Sequence, residues 1–118
     1  MFEVGEIFWL EIEYEDIPNE SKIRPAIIVD KDEESFYILV STTTQSPKDP
    51  PSYYDQFKIP ILNWRKIGLP QASWGLGYRL IKLRDNELRS VVTNTDYIGS
   101  MSETDLQYLI TQIELIHN

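Results

Sequence analysis

Arg24 lies in the run E-S-K-I-R-P-A-I-I-V-D (20–30), immediately before Pro25 and four apolar residues. Proline fixes φ, removes an amide donor and drives the preceding residue out of the helical region, so Arg24 is expected in extended backbone at the lip of a strand. A guanidinium held there offers a planar fork of donors that matches phosphate geometry bidentately. The rest of the chemical inventory is short. The single histidine, His117, lies one residue from the C-terminus, and there is no cysteine. Those counts exclude a two-histidine nuclease, a Ser-His-Asp triad, a thiolate nucleophile, disulfide stapling and cysteine-ligated zinc. No phosphate-binding glycine loop or dinucleotide fingerprint occurs. An enzyme built on this chain must work with Arg, Lys, Tyr, hydroxyls and carboxylates, and no cofactor or metal site is expected.

The elements that must hold these groups read as strands first and a helix last. Residues 6–14, E-I-F-W-L-E-I-E-Y, alternate so that Phe8, Leu10, Ile12 and Tyr14 share one face and Glu11 and Glu13 take the other, as a solvated face. A polar loop over 15–23 leads to a second strand at 25–30. After the turn signal at 31–34, F-Y-I-L-V-S-T-T (36–43) predicts a third strand rich in β-formers. The polar segment 46–56, with three prolines, predicts a long excursion of the functional or mobile kind. Short strands are expected at 57–62, 78–83 and 89–93. Ser102 with Asp105 resembles a capping box, Met101 and Leu106 occupy the staple positions, and Leu106, Leu109, Ile110, Ile113 and Ile116 recur at helical spacing. The expected architecture is a mainly β, α+β domain: a small, strongly bent sheet or barrel with one late helix packed on it.

Composition sets the frame for these elements. The 118 residues, 42% apolar and 12% aromatic, suit one compact domain over 1–118, with seven prolines and five glycines to turn it. No leader-like segment or membrane-length apolar run is present, so a reducing cytoplasm is the expected home. The net charge of −8 opposes nonspecific nucleic-acid binding, yet it is unevenly spread. Residues 1–20 carry seven acids and no Lys or Arg, whereas residues 58–89 carry seven bases against Asp85 and Glu87. An anionic protein can in this way present a cationic face, although charge also varies along ordinary solvated surfaces.

Three successive stretches carry a family resemblance: G-E-I-F-W-L (5–10), the loop running into K-I-R-P-A-I-I-V (22–29), and V-S-T-T-T-Q (40–45). In this order the chain resembles the PemK/MazF toxins, and G-L-P (68–70), K-L-R (82–84) and I-G-S-M-S-E-T-D-L (98–106) agree. The resemblance spans nearly the whole chain. It implies an SH3-like β-barrel of the PemK/MazF type with a C-terminal helix, commonly a homodimer. It also implies a sequence-selective, metal-independent endoribonuclease, an mRNA interferase acting on single-stranded RNA and held inactive by a cognate antitoxin protein. DNA is not expected as a ligand of the toxin alone. The family's strand-start arginine falls on Arg24 and its threonine at the end of the third strand on Thr43, as catalytic residues. Lys22, Thr44, Gln45 and Ser73 are the implied substrate-binding residues. Two departures bear on the general base, which stays unassigned: Asn19, beside Glu20, stands where an acid is common in the first loop, and Ser73 stands at a second acidic position.

Metal-free RNA cleavage needs the 2′-OH to attack its own phosphate, a base for that proton, an acid for the 5′-oxygen, and donors for the phosphorane oxygens. Arg24 supplies such donors. A role in proton transfer is harder, because an arginine side chain stays protonated near neutral pH. Thr43 would orient the phosphate through its hydroxyl. The structural alternatives are a salt bridge from Arg24 to a loop acid and a merely β-branched strand role for Thr43. At the level of the whole chain, the alternative is a noncatalytic barrel that holds a peptide or RNA in the same groove.

Overall fold

The computed structural model describes residues 2–13, 21–93 and 96–118, with the side chain of Glu13 left aside. Expectations for Tyr14, Asn19, Glu20 and most of the first loop lie outside the described residues.

Strand β1 spans Glu6–Glu13, β2 Ser21–Lys31 and β3 Phe36–Thr43. A 3-10 turn at Tyr54–Phe57 precedes β4 (Lys58–Pro60) and a one-turn helix α1 (Trp64–Ile67). Strand β5 (Trp74–Arg84) runs into α2 (Asp85–Val91), and β6 (Tyr97–Ser100) precedes α3 (Glu103–His117). Six antiparallel strands form one curled sheet in the order β4-β5-β3-β2-β1-β6, a half-barrel with β4 and β6 as its edges. The expected bent, mainly β sheet with a late helix is the fold observed.

Both faces of this sheet are apolar at its centre. Ile7, Ile27, Val29 and Val40 pack with Ile59, Ile61 and Ile67 against Leu109 and Ile113 of α3. The alternate residues, Phe8, Leu10, Ala26, Ile28, Tyr37 and Leu39, form the other core with Leu88 of α2 and the N-terminal Phe2 and Val4. The first strand is therefore more buried than its half-buried pattern suggested. Ile7 on the second face is fully buried, while Glu11 is exposed.

The region 89–93, expected as a short strand, is instead the end of α2 and the residues after it, although it holds the β-branched pair Val91 and Val92. Helical signals upstream override the β-branched pair. Glu87 accepts the N–H of Arg84 at 3.0 Å, Arg89 pairs with Asp85 one turn back at 2.6 Å, and Leu88 is fully buried as the helix's anchor. Asp85 also accepts from the Tyr37 hydroxyl at 3.0 Å, fixing the start of α2 to β3. Burial first, and then Asp85, pushes the Tyr37 phenol above its ordinary value. Strand β5 starts four residues earlier than expected, at Trp74. The β2 strand also extends beyond the expected 25–30, and α1 and β6 had no sequence expectation.

The open side of the half-barrel is approached by α1, which packs on β6. Gly68 caps α1 at φ 111°, and Gly99 allows the closest approach, since a Cβ there would fall 1.9 Å from the Ile67 carbonyl oxygen. The C-terminal helix follows its sequence signals: Ser102 Oγ accepts from the Asp105 amide at 3.2 Å and Met101 is buried. The Asp105 carboxylate, however, accepts from Asn63 Nδ2 at 3.0 and 3.1 Å, so it ties α3 to the start of α1.

Two stability outcomes are expected by thermal or denaturant melts. Ser102→Ala should cost about 0.5–2 kcal/mol, the usual worth of an N-cap. Gly99→Ala should cost at least about 1–3 kcal/mol, the usual range for overpacking, because backbone rather than a flexible side chain stands in the way. An unchanged melt in Gly99→Ala would show that α1 and β6 are free to separate.

Candidate active site

The answer to why Arg24 precedes a proline lies in the pairing of β2 with β3. That ladder runs up to Ala26 opposite Ser41, one residue short of Pro25, which has no N–H to donate. Beyond it side chains take over. Thr42 Oγ1 donates to the Pro25 carbonyl at 3.1 Å, and Arg24 Nη1 reaches the Thr42 carbonyl at 3.5 Å, a long contact that fixes direction more than energy. Arg24 and Thr43 each lie two residues past the Ala26–Ser41 pair, so the antiparallel register brings them to the same end of the sheet.

Arg24 is half-buried and opposite Leu10 in the β1–β2 ladder, and Lys22, exposed, is opposite Ile12. Directly opposed residues share a face, which sets Lys22 and Arg24 on the Leu10–Ile12 side. Arg79 reaches that side from β5. A groove of about 420 Å³ is lined by Leu10, Ile12, Ile81 and Leu83 with Arg79 and the acids Glu11 and Glu87. Sequence reasoning noted Arg79 only among the bases of 58–89. Two residues before Ile81 in an alternating strand, it carried the signal, but the face was known only once β5 was paired with β3 at Ile81–Leu39 and Leu83–Tyr37.

Thr43 is half-buried at the last residue of β3, opposite Trp74, and its Oγ1 accepts the Gln45 amide at 3.2 Å. Thr44 and Gln45 are exposed as the chain leaves the sheet. Ser73 is elsewhere in character: it is buried, with its hydroxyl donating to the Gln71 carbonyl at 2.9 Å. The structure thus gathers Lys22, Arg24, Thr43, Thr44 and Gln45 at one end of the sheet and keeps the Ser73 hydroxyl turned onto its own loop. Five of the other six bases of 58–89 are engaged at separate places. Lys82 and Arg84 lie over the Phe36 ring, Arg65 over Trp64, and Lys58 and Arg89 pair with Asp55 and Asp85. The sole histidine is a structural group, its Nε2 donating to the Gly77 carbonyl at 2.7 Å.

A further group was not foreseen from sequence. Asp55, buried in the 3-10 turn, accepts the amides of Ser52 at 2.8 Å and Lys48 at 3.0 Å and pairs with Lys58 Nζ at 2.9 Å. The same ammonium donates to the Gln45 carbonyl at 3.1 Å. One buried ion pair therefore clips the 44–57 excursion to the end of β3. The Lys58 hydrogen bond, then the two amides, hold the Asp55 carboxyl well below its ordinary value of 3.8. Because the folded value is the lower one, the stabilisation is complete above the ordinary value and is lost as pH falls toward the folded one. The Lys48 and Ser52 amides should therefore stay protected from hydrogen exchange at and above pH 3.8 and lose protection only progressively as pH falls further, and Asp55→Asn should weaken that protection at neutral pH. Opening of the wild-type turn at or above that value would remove Asp55 as the clip.

No family and no curated protein sequence matches the chain. Solved structures do. Toxin MazF-mt6 of Mycobacterium tuberculosis superposes with a TM-score of 0.62 at 15% identity, covering 95% of each chain. MazF of Deinococcus radiodurans superposes with a TM-score of 0.60 at 13% identity, covering 98% of this chain and 96% of its own. At these identities the likeness is one of fold, and the fold that it establishes for this chain is that of the MazF toxins.

Proposed function

We propose that the protein is a sequence-selective, metal-independent endoribonuclease, the toxin of a type II toxin–antitoxin pair, working in the cytoplasm as a homodimer. The observation that carries this reading is the convergence of Arg24 with the Thr43–Gln45 segment at one end of a MazF-type sheet. In the reaction, the 2′-oxygen attacks the adjacent phosphorus and the bond from phosphorus to the 5′-oxygen breaks. A base takes the 2′-OH proton and an acid supplies one to the leaving oxygen. Arg24 stabilises the phosphorane oxygens with its fork of donors, Thr43 orients the phosphate, and Lys22, Thr44 and Gln45 hold the flanking RNA.

The placement of Ser73 favours a second reading. Its hydroxyl is buried and spent on the Gln71 carbonyl where the family resemblance implies an acid, which suits a noncatalytic barrel that holds RNA or a peptide in the same groove.

The decisive measurements are cleavage of a mixed-sequence RNA and growth arrest on induction, for wild type, Arg24→Lys, Arg24→Ala and Thr43→Val with folding verified. Both Arg24 variants should lose about 10²–10³ in rate, by analogy with removal of an oxyanion donor, because an ammonium keeps the charge and loses the planar fork. Cleavage should persist in EDTA and leave 2′,3′-cyclic phosphate ends. Strict Mg²⁺ dependence with 5′-phosphate ends rejects the mechanism; a wild type that neither cleaves RNA nor slows growth leaves the binding module. Light scattering at micromolar concentration should give the mass of two chains, and a single-chain mass counts against the dimer.

A further inference from the structure

Tyr53 and Tyr54 are 68% and 56% exposed, although each is a large ring that a core would accept. They are not loose. Tyr53 meets Tyr54 edge-on at 5.1 Å and Phe57 at 5.5 Å, and Tyr54 leans on Tyr78 of β5 at 4.9 Å. The turn beneath them is fastened by the neighbouring Asp55, and the Tyr53 carbonyl accepts from Gln56 Nε2 at 2.8 Å. Rings presented on a fixed backbone lose little conformational freedom when something packs on them. Lys58, which pairs with Asp55, also grips the Gln45 carbonyl, two residues after Thr43. The aromatic turn and the candidate site are thus fastened to the same ammonium.

We propose that Tyr53 and Tyr54 form a stacking platform for the bases of single-stranded RNA next to the reacting phosphate, an assignment that rests on the ribonuclease reading above. Charge favours bases as the occupant. A chain of net charge −8 repels phosphates overall, and the segment 46–58 balances Lys48 and Lys58 with Asp49 and Asp55. Affinity for a single strand must then come largely from base–aromatic stacking, which every base can make through its π-face and which requires no net positive charge.

The test is the affinity of wild type, the double variant Tyr53→Ala/Tyr54→Ala and the double variant Tyr53→Phe/Tyr54→Phe for a labelled mixed-sequence 2′-O-methyl oligonucleotide, read by fluorescence anisotropy. The oligonucleotide has no free 2′-OH and stays uncut, so binding is read apart from cleavage. The alanine pair should bind about 5- to 150-fold more weakly for each base unstacked, with the phenylalanine pair near wild type and circular dichroism unchanged. Alanine variants that bind like wild type overturn the platform. So do phenylalanine variants as weak as alanine, which would assign the effect to the hydroxyls. A shift of the alanine pair from dimer to monomer in light scattering also overturns it, by making the surface a contact between copies. A wild type that binds the oligonucleotide but leaves an unmodified RNA intact refutes the nuclease while the platform still stands or falls on the variants. A wild type that binds neither refutes both.

Discussion

The four residues Ala26 to Val29 are buried in sequence, which puts one strand into two cores at once. Such a strand has no solvent face to relax toward, so its register against β1 and β3 is fixed by both layers. A slip of one residue would exchange Ile27 and Val29 with Ala26 and Ile28 and would misfit the packing of α3 and α2 together. The rigid centre is what makes the end of the strand a defined place. There Pro25 withholds an amide, the β2–β3 ladder stops, and polar side chains fill the position that backbone donors occupy elsewhere. The site is built where regular pairing ends.

Order is restored past that point by charge buried in a small space. Asp55 and Lys58 are nearly inaccessible, and an ion pair in such surroundings holds only when its remaining lone pairs and protons are also met. The Ser52 and Lys48 amides meet those of the carboxylate, and the Gln45 carbonyl meets one of the ammonium's protons. A long, proline-rich excursion without a core of its own is fastened in this way to the end of β3. It presents Tyr53 and Tyr54, with Tyr54 leaning on Tyr78 of β5.

The distribution of basic side chains shows why net charge and charge runs are weak guides to a binding face. Four bases between residues 79 and 89 come from one stretch, yet strand alternation sends Arg79 to the groove beside Leu10 and Lys82 to the opposite side beside Ile110 and Ile113, while Arg89 is paired on α2. The period of two parts Arg79 from Lys82, while Lys82 and Arg84, two residues apart, stay together over Phe36.

By itself the sequence determined what depends on a few neighbouring residues. It specified the strand character of 36–43, the extended backbone enforced on Arg24 by Pro25, the polar excursion, and the capped helix with its apolar stripe, since each rests on dihedral preference or local periodicity. The short strand expected over 89–93 is instead the end of a helix, because Asp85, Glu87 and the burial of Leu88 start one upstream. Only the tertiary structure decided which distant residues meet: Arg24 with the end of β3, Arg79 with Leu10 and Ile12, Asp55 and Lys58 with Gln45, and Ile67 with Gly99. Those encounters depend on the register of strands far apart in the chain and on the bulge where β5 leaves β3 between Leu80 and Gly75. Register is selected by how two whole cores pack, a property of the assembled sheet that no short window of residues contains.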